Sequence, residues 1–144
     1  MTLPTRFDRD YHARRLSKEN EKYRAQARRR GVAEGPVDAL AVLDRDNWIC
    51  AVCEDEIDPT SRWVGSAPGA SQADENRWLP SLDHVIVNGP HTMENVRAAH
   101  ALCSSWRDVH SIETIRRERS AAAEVERFLE RRPAASTYRA AEVE

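Results

Sequence analysis

Large apolar residues are scarce in this chain. Eight Leu, five Ile, eleven Val and two Phe make 26 of 144 residues, and aromatics reach only 6%. That is about 18% strong core formers, just under the level at which chains drift toward disorder. The length fits one domain, and its core must be small. No run approaches the roughly 18 apolar residues of a membrane span, and no basic, apolar, small-residue leader opens the chain. The expectation is a soluble, cytoplasmic protein without a membrane partner. Cysteine is sparse as well. Three cysteines cannot pair completely, and inside a cell thiols stay reduced. A unit this poor in aliphatics needs a staple, and reduced thiols favour a metal over a disulfide.

The formal net charge of -2 conceals an uneven distribution. Residues 1–35 carry ten Lys/Arg against five Asp/Glu, and the remainder twelve against nineteen. Eight of those ten are Arg, including the run Arg28, Arg29, Arg30. Guanidinium forks suit phosphate oxygens better than ammonium groups do, so these arginines are candidate nucleic-acid contacts. The same charges also suit a solvated helix laced with Arg–Glu pairs, and charge alone does not choose.

Along the chain, Asp8 to Arg30 has neither Pro nor Gly and is followed by Gly31, a helical signature. Its apolar stripe of Phe7, Tyr11, Leu16 and Tyr23 is thin, which predicts a basic helical arm, residues 1–35, that packs lightly or orders on its partner. Gly35 and Pro36 mark the boundary, and Pro36 suits the start of a helix over Val37 to Arg45, with Leu40 and Leu43 on one face. Trp48 to Cys50 reads as a short strand entering a tight turn. Glu54 to Asn76 is an acidic loop with Pro59, Gly65, Pro68 and Gly69. Strands over Trp78 to Val87 and Asn95 to Ala99, joined through Asn88, Gly89 and Pro90, make a hairpin. Ser111 caps a last helix with Ile112, Ile115, Val125, Phe128 and Leu129 on one face, ended by Pro133 and a tail from Ala134 to Glu144. The three parts are thus residues 1–35, 36–110 and 111–144.

The strongest signal is a pair of matching spacings. Cys50 and Cys53 enclose two residues, and so do His100 and Cys103, which places every cysteine of the chain in a knuckle-type pair. Such pairs converge on tetrahedral zinc at about 2.3 Å for sulfur and about 2.0 Å for nitrogen, in a closed structural site. Binding of the ion supplies folding energy.

Between the knuckles lie Leu82, Asp83, His84, Val85, Ile86, then Gly89, His91 and Asn95, and before them Asp44, Arg45, Asp46, Asn47, Trp48, Ile49, Cys50. From about Leu40 to Arg107 this pattern resembles the HNH endonucleases, in the zinc-knuckle form common in phage and bacterial genomes. The resemblance implies a ββα-metal fold and phosphodiester hydrolysis in DNA. It makes His84 the general base, since neutral imidazole can take a proton from water at neutral pH, with Asn95 helping to set its geometry. It makes Asp83 a ligand to a catalytic divalent ion, magnesium or manganese, because hard carboxylates suit those ions. Where the family places Asn or His after the last knuckle cysteine, this chain has Ser104, a poorer ligand. Arg107 matches a basic position that can grip phosphate, and Asp108, one helical turn beyond Ser104, reads as a surface carboxylate. Side chains of Asp83 and His84 alternate on a regular strand, so irregular backbone is expected at that pair.

Turn packing is the expected role of His91, solvent exposure that of His12 and His110, and core bulk that of Trp48, Trp63, Trp78 and Trp106. The combined expectation is an α+β protein, a small zinc-stapled ββα-metal module flanked by N-terminal and C-terminal helices, acting as a metal-dependent DNA endonuclease. Its rival is the same scaffold, catalytically degraded at Ser104, as a DNA-binding or assembly component.

Overall fold

A computed structural model describes residues 2–65, 74–107 and 111–131 of the chain. They form α1 (Arg6–Arg30), α2 (Ala39–Arg45), α3 (Asp74–Arg77), β1 (Pro80–His84), β2 (Val96–His100), α4 (Ala101–Trp106) and α5 (Ile112–Arg131), an α+β arrangement. Pro68, Gly69, Asp108, His110, Pro133 and the tail lie outside the described residues, as do the side chains of Val125, Phe128 and Leu129.

Helix α1 is capped at both ends. Thr5 Oγ1 accepts from the Asp8 amide at 3.2 Å and the Asp8 carboxylate accepts from the Thr5 amide at 2.8 Å, a reciprocal box that satisfies two amides at the helix start. Gly31, at φ 70°, closes the other end in the left-handed conformation. The light attachment expected of this helix is not found. Leu16 is wholly buried in the main core cluster, whereas Phe7, expected on the apolar stripe, is 82% exposed. Polar contacts complete the docking. Arg9 grips both carboxylate oxygens of Asp44 at 2.9 Å each, Asn20 Nδ2 donates to the Val37 carbonyl at 2.7 Å, Arg15 donates to the Pro80 carbonyl and Ser81 to Glu19. Apolar periodicity cannot register such anchors, so a helix held by polar groups reads as a loose arm. His12, expected exposed, is fully buried with Nε2 2.9 Å from the Pro59 carbonyl oxygen, and burial holds its pKa down.

Asp38 caps α2 by accepting from the Ala41 amide at 3.1 Å. The chain leaves α2 through two left-handed residues, Asn47 at φ 57° and Trp48 at φ 54°, so no strand runs through Trp48. That conformation is costly for a bulky residue; the buried indole, donating from Nε1 to Asp44 at 3.0 Å, holds it. Asp46 accepts from the Ala98 amide at 2.8 Å, and Arg45 donates to the Met93 and Val96 carbonyls at 2.9 and 2.6 Å. The Asp44 to Trp48 segment therefore ties α1, the first cysteine turn and β2 together.

Strands β1 and β2 pair antiparallel from Pro80↔His100 to His84↔Val96. Pairing is regular through both Asp83 and His84, so the expected irregularity at that pair is absent, and the strand is shorter than the sequence suggests; bends begin at Val85. In the following turn a Cβ on Gly89 would lie 2.8 Å from the Ile86 carbonyl oxygen, which only glycine avoids. Trp48 is in the core, Trp78 and Trp106 pack against it half-buried, and Trp63 is exposed, contrary to expectation. Ser111 caps α5, its Oγ accepting from the Thr114 amide at 3.1 Å. Ile115 is buried and Arg116 donates to the Val52 carbonyl at 2.8 Å. No helix among the described residues is long and apolar enough to cross a membrane.

If α1 is docked in this way, Leu16→Ala lowers the unfolding free energy by about 2–5 kcal/mol in urea titration, and Phe7→Ala changes it by less than about 0.5 kcal/mol. Equal effects would show that the helix is an undocked arm.

Candidate metal centre and cleft

The two cysteine-bearing segments meet. Cys50 Sγ, Cys53 Sγ, His100 Nδ1 and Cys103 Sγ lie within 4.8 Å of one another and could hold a metal ion. His100 Nδ1 is 3.3 Å from Cys53 Sγ and 3.9 Å from Cys103 Sγ, which brackets the separation of about 3.5 Å between sulfur and nitrogen ligands on tetrahedral zinc. His100 Nε2 is 3.0 Å from the Glu56 carbonyl oxygen. Its proton belongs there, which turns the Nδ1 lone pair toward the sulfurs. Cys50 Sγ accepts from the amides of Cys53 at 3.5 Å and His100 at 3.4 Å, and such donors favour a thiolate. Hydrogen bonding to Cys103 and then Cys53 pulls the Cys50 pKa down, while the same contact with Cys50 pushes Cys103 up. Three crowded thiols cannot all ionise unless a cation sits among them. The donor set fits a structural zinc.

At the end of β1, Asp83 is buried, and its Oδ2 accepts from Arg97 Nε and Arg107 Nη1, each at 2.9 Å. Arg107 also donates to the carbonyls of His84 at 2.7 Å and Val85 at 3.2 Å, so it braces the strand end instead of reaching out. Ser104 Oγ donates to the Leu82 carbonyl at 2.9 Å. Asn95 Oδ1 accepts from the Ile86 amide at 2.9 Å and its Nδ2 donates to the Pro90 carbonyl at 2.7 Å, stapling the turn after β1. His84 Nε2 lies 2.9 Å from Nδ1 of the fully buried His91, whose Nε2 contacts Asn20 Oδ1 on α1. Burial first, then the charges of His84 and Arg24, hold the His91 pKa down at about 4. Beyond the cluster of cysteines and His100, no group of three His, Cys, Asp or Glu ligands gathers among the described residues.

Asp83, His84 and Ser104 line a cleft of about 690 Å³ whose other wall is one face of α1. That face presents Arg15, Lys18, Lys22, Gln26 and Arg30, spaced by three or four residues as a helix face requires, with the acidic Glu19 among them. Of the arginine run, Arg30 is at the cleft, Arg28 is paired with Glu34 at 3.0 Å, and Arg29 is exposed. Lys18 and Lys22 carry a sequence signal, a cationic period of three to four residues along α1, whereas Asn20 carries none, because its partners Val37 and His91 are remote. Tyr23 also lines the cleft, its hydroxyl donating to Glu19 at 3.1 Å; burial, then the Glu19 charge, pushes its pKa up. Comparison of the chain with protein-family models, curated proteins and solved structures returns no match.

Metal analysis of the purified protein should find one zinc per chain, lost together with cooperative thermal unfolding in Cys103→Ser; a metal-free wild type that unfolds cooperatively contradicts the assignment. A second expectation concerns pH. The folded His91 pKa of about 4 lies below the usual 6.5, so the unfolded chain binds the extra proton first and stability falls as pH drops from about 6.5 toward 4. Urea midpoints should decline less steeply over that window in His91→Gln than in wild type. Protonation of metal ligands is common to both proteins, so parallel slopes would remove His91 as the cause.

Proposed function

We propose that the protein is a metal-dependent endonuclease of the HNH type that hydrolyses phosphodiester bonds in DNA, braced by a structural zinc on Cys50, Cys53, His100 and Cys103. The observation that carries this reading is that Asp83 and His84, neighbours at the end of β1, both line a cleft whose other wall carries Arg15, Lys18, Lys22 and Arg30 of α1. A carboxylate residue, an imidazole residue and a row of cations lining one cleft are the equipment that hydrolysis of an anionic ester needs.

Lys18, Lys22 and Arg30 hold phosphates along the cleft, contacts that carry no sequence information. His84 takes a proton from water as its oxygen bonds to phosphorus and the ester oxygen leaves. Asn95 keeps the turn after β1 in shape, and Arg107 supports the backbone that carries His84. Asp83 and Ser104 are the residues that would hold the magnesium or manganese ion, whose chemistry when bound is Lewis-acid stabilisation of charge on the phosphate. Both guanidinium contacts of Asp83 fall on Oδ2, so Oδ1 is the oxygen that can act as ligand. One carboxylate oxygen and a hydroxyl suit an ion that keeps several waters and takes its remaining ligands from the substrate.

One set of contacts favours a second reading, a DNA-binding protein that does not cleave. Two arginines already neutralise Asp83, and the Ser104 hydroxyl is already engaged by the Leu82 carbonyl. Plasmid nicking separates the two. With magnesium or manganese, His84→Ala should lose about 10²–10⁴ of the rate at unchanged zinc content, and Ser104→His or Ser104→Asn should raise it. A wild type inert with every divalent ion, restored by those Ser104 variants, establishes the second reading. In DNA binding, Lys18→Ala with Lys22→Ala should reduce the slope of log affinity against log salt by about 2; an unchanged slope removes the α1 face from the interface.

A further inference from the structure

We infer that Asn20 of α1 and His91 form a buried relay that fixes His84 in a single tautomer, with the proton on Nε2 and the basic lone pair on Nδ1. Its catalytic consequence rests on the proposed role of His84; the tautomer is a property of the folded chain whatever it does.

The relay is read outward from Asn20. Its amide has one orientation, because Nδ2 donates to the Val37 carbonyl at 2.7 Å. Oδ1 therefore faces His91 Nε2, and an amide oxygen only accepts, so His91 carries its proton on Nε2. Buried and neutral down to about pH 4, His91 is left with Nδ1 as an acceptor. His84 Nε2 lies 2.9 Å from that atom, and a hydrogen bond forms there only if His84 brings the proton. The basic nitrogen of His84 is then Nδ1.

The geometry around the relay is built to hold it. The His91 amide donates to the Ala33 carbonyl and the Gly35 amide donates to the His91 carbonyl, each at 2.9 Å, which pins His91 to the segment leaving α1. The Tyr23 ring packs edge-on against His84 at 4.9 Å and tilted against His91 at 5.7 Å between centroids. A histidine that only filled a turn would need no specific partner on either ring nitrogen; this one has a partner on both, one of them supplied by a helix 71 residues away in sequence. Helix α1 is thereby a positioning element for His84 as well as a wall of the cleft, and Asn20 and His91 are positioning residues.

Long-range proton–nitrogen NMR of the imidazole rings tests this in metal-loaded protein at about pH 8.5, where unperturbed histidines are neutral. Asn20→Asp keeps an acceptor oxygen toward His91 and loses the donor to Val37; Asn20→Leu and His91→Phe break the relay. Wild type and Asn20→Asp should show His84 protonated at Nε2, and the other two should show mixed tautomers at unchanged zinc content. Nicking should fall by roughly tenfold or more in Asn20→Leu, inside the 10²–10⁴ that a positioned base contributes, and stay near wild type in Asn20→Asp. Protonation of His84 at Nδ1 in wild type, or the same tautomer in Asn20→Leu and His91→Phe, overturns the relay. The expected tautomers in a wild type that cleaves nothing support the relay and overturn the nuclease reading instead.

Discussion

Three sulfurs and an imidazole nitrogen held within 4.8 Å of one another set the frame in which every other side chain takes its place. The first two sulfurs sit on a turn closed by the Ile49–Glu56 bridge, and the other two donors flank the junction where β2 becomes α4. Crowded thiols resist joint ionisation, so the cluster favours whatever cation relieves that conflict. Because His100 is both a cluster member and the last residue of β2, paired with Pro80, the register of the hairpin is tied to the cluster. The same junction launches α4, which brings Ser104 against the Leu82 carbonyl and Arg107 against Asp83 and the end of β1. A small aliphatic core could not specify these positions alone.

Helix α1 adds the second constraint. It buries little beyond Leu16, Ala27, His12 and Asp8, and it is held by an Arg9–Asp44 fork and by side-chain bonds to backbone carbonyls of Val37 and Pro80. Bonds of this kind are directional, so they set the rotation of the helix more sharply than apolar packing would. That rotation turns Lys18, Lys22 and Arg30 into the cleft and Asn20 toward His91.

Asp83 shows the tension in the site. Its burial between Arg97 and Arg107 satisfies a charge that would otherwise be costly, and it also satisfies needs that a catalytic ion would meet. Both contacts lie on one oxygen, so the geometry is compatible with both of the proposed readings.

The cysteine and histidine cluster was legible from spacing, because ligand spacing is a local property that a knuckle turn preserves. The hairpin was legible from β-branched residues around Asn88 to Pro90, and the end of α1 from Gly31. Less could be seen where a partner is remote. Nothing near His12 marks it as buried, since its partner is the Pro59 carbonyl. Nothing near Trp48 marks a left-handed backbone, since the indole is held by Asp44 and the core. Arg107 was expected to grip phosphate, and its guanidinium turns inward because the end of β1 offers a carboxylate and two carbonyls within reach. Residue order along the chain thus determined the spacing of the candidate ligand pairs, the long helices, the hairpin and the basic bias of the first helix, all of which depend on neighbours a few positions away. Which face of that helix meets the cleft, which oxygen of Asp83 is paired, and which histidine stands beside His84 came only with folding, because each is a contact between groups up to 71 residues apart and no local pattern encodes the direction of such a bond.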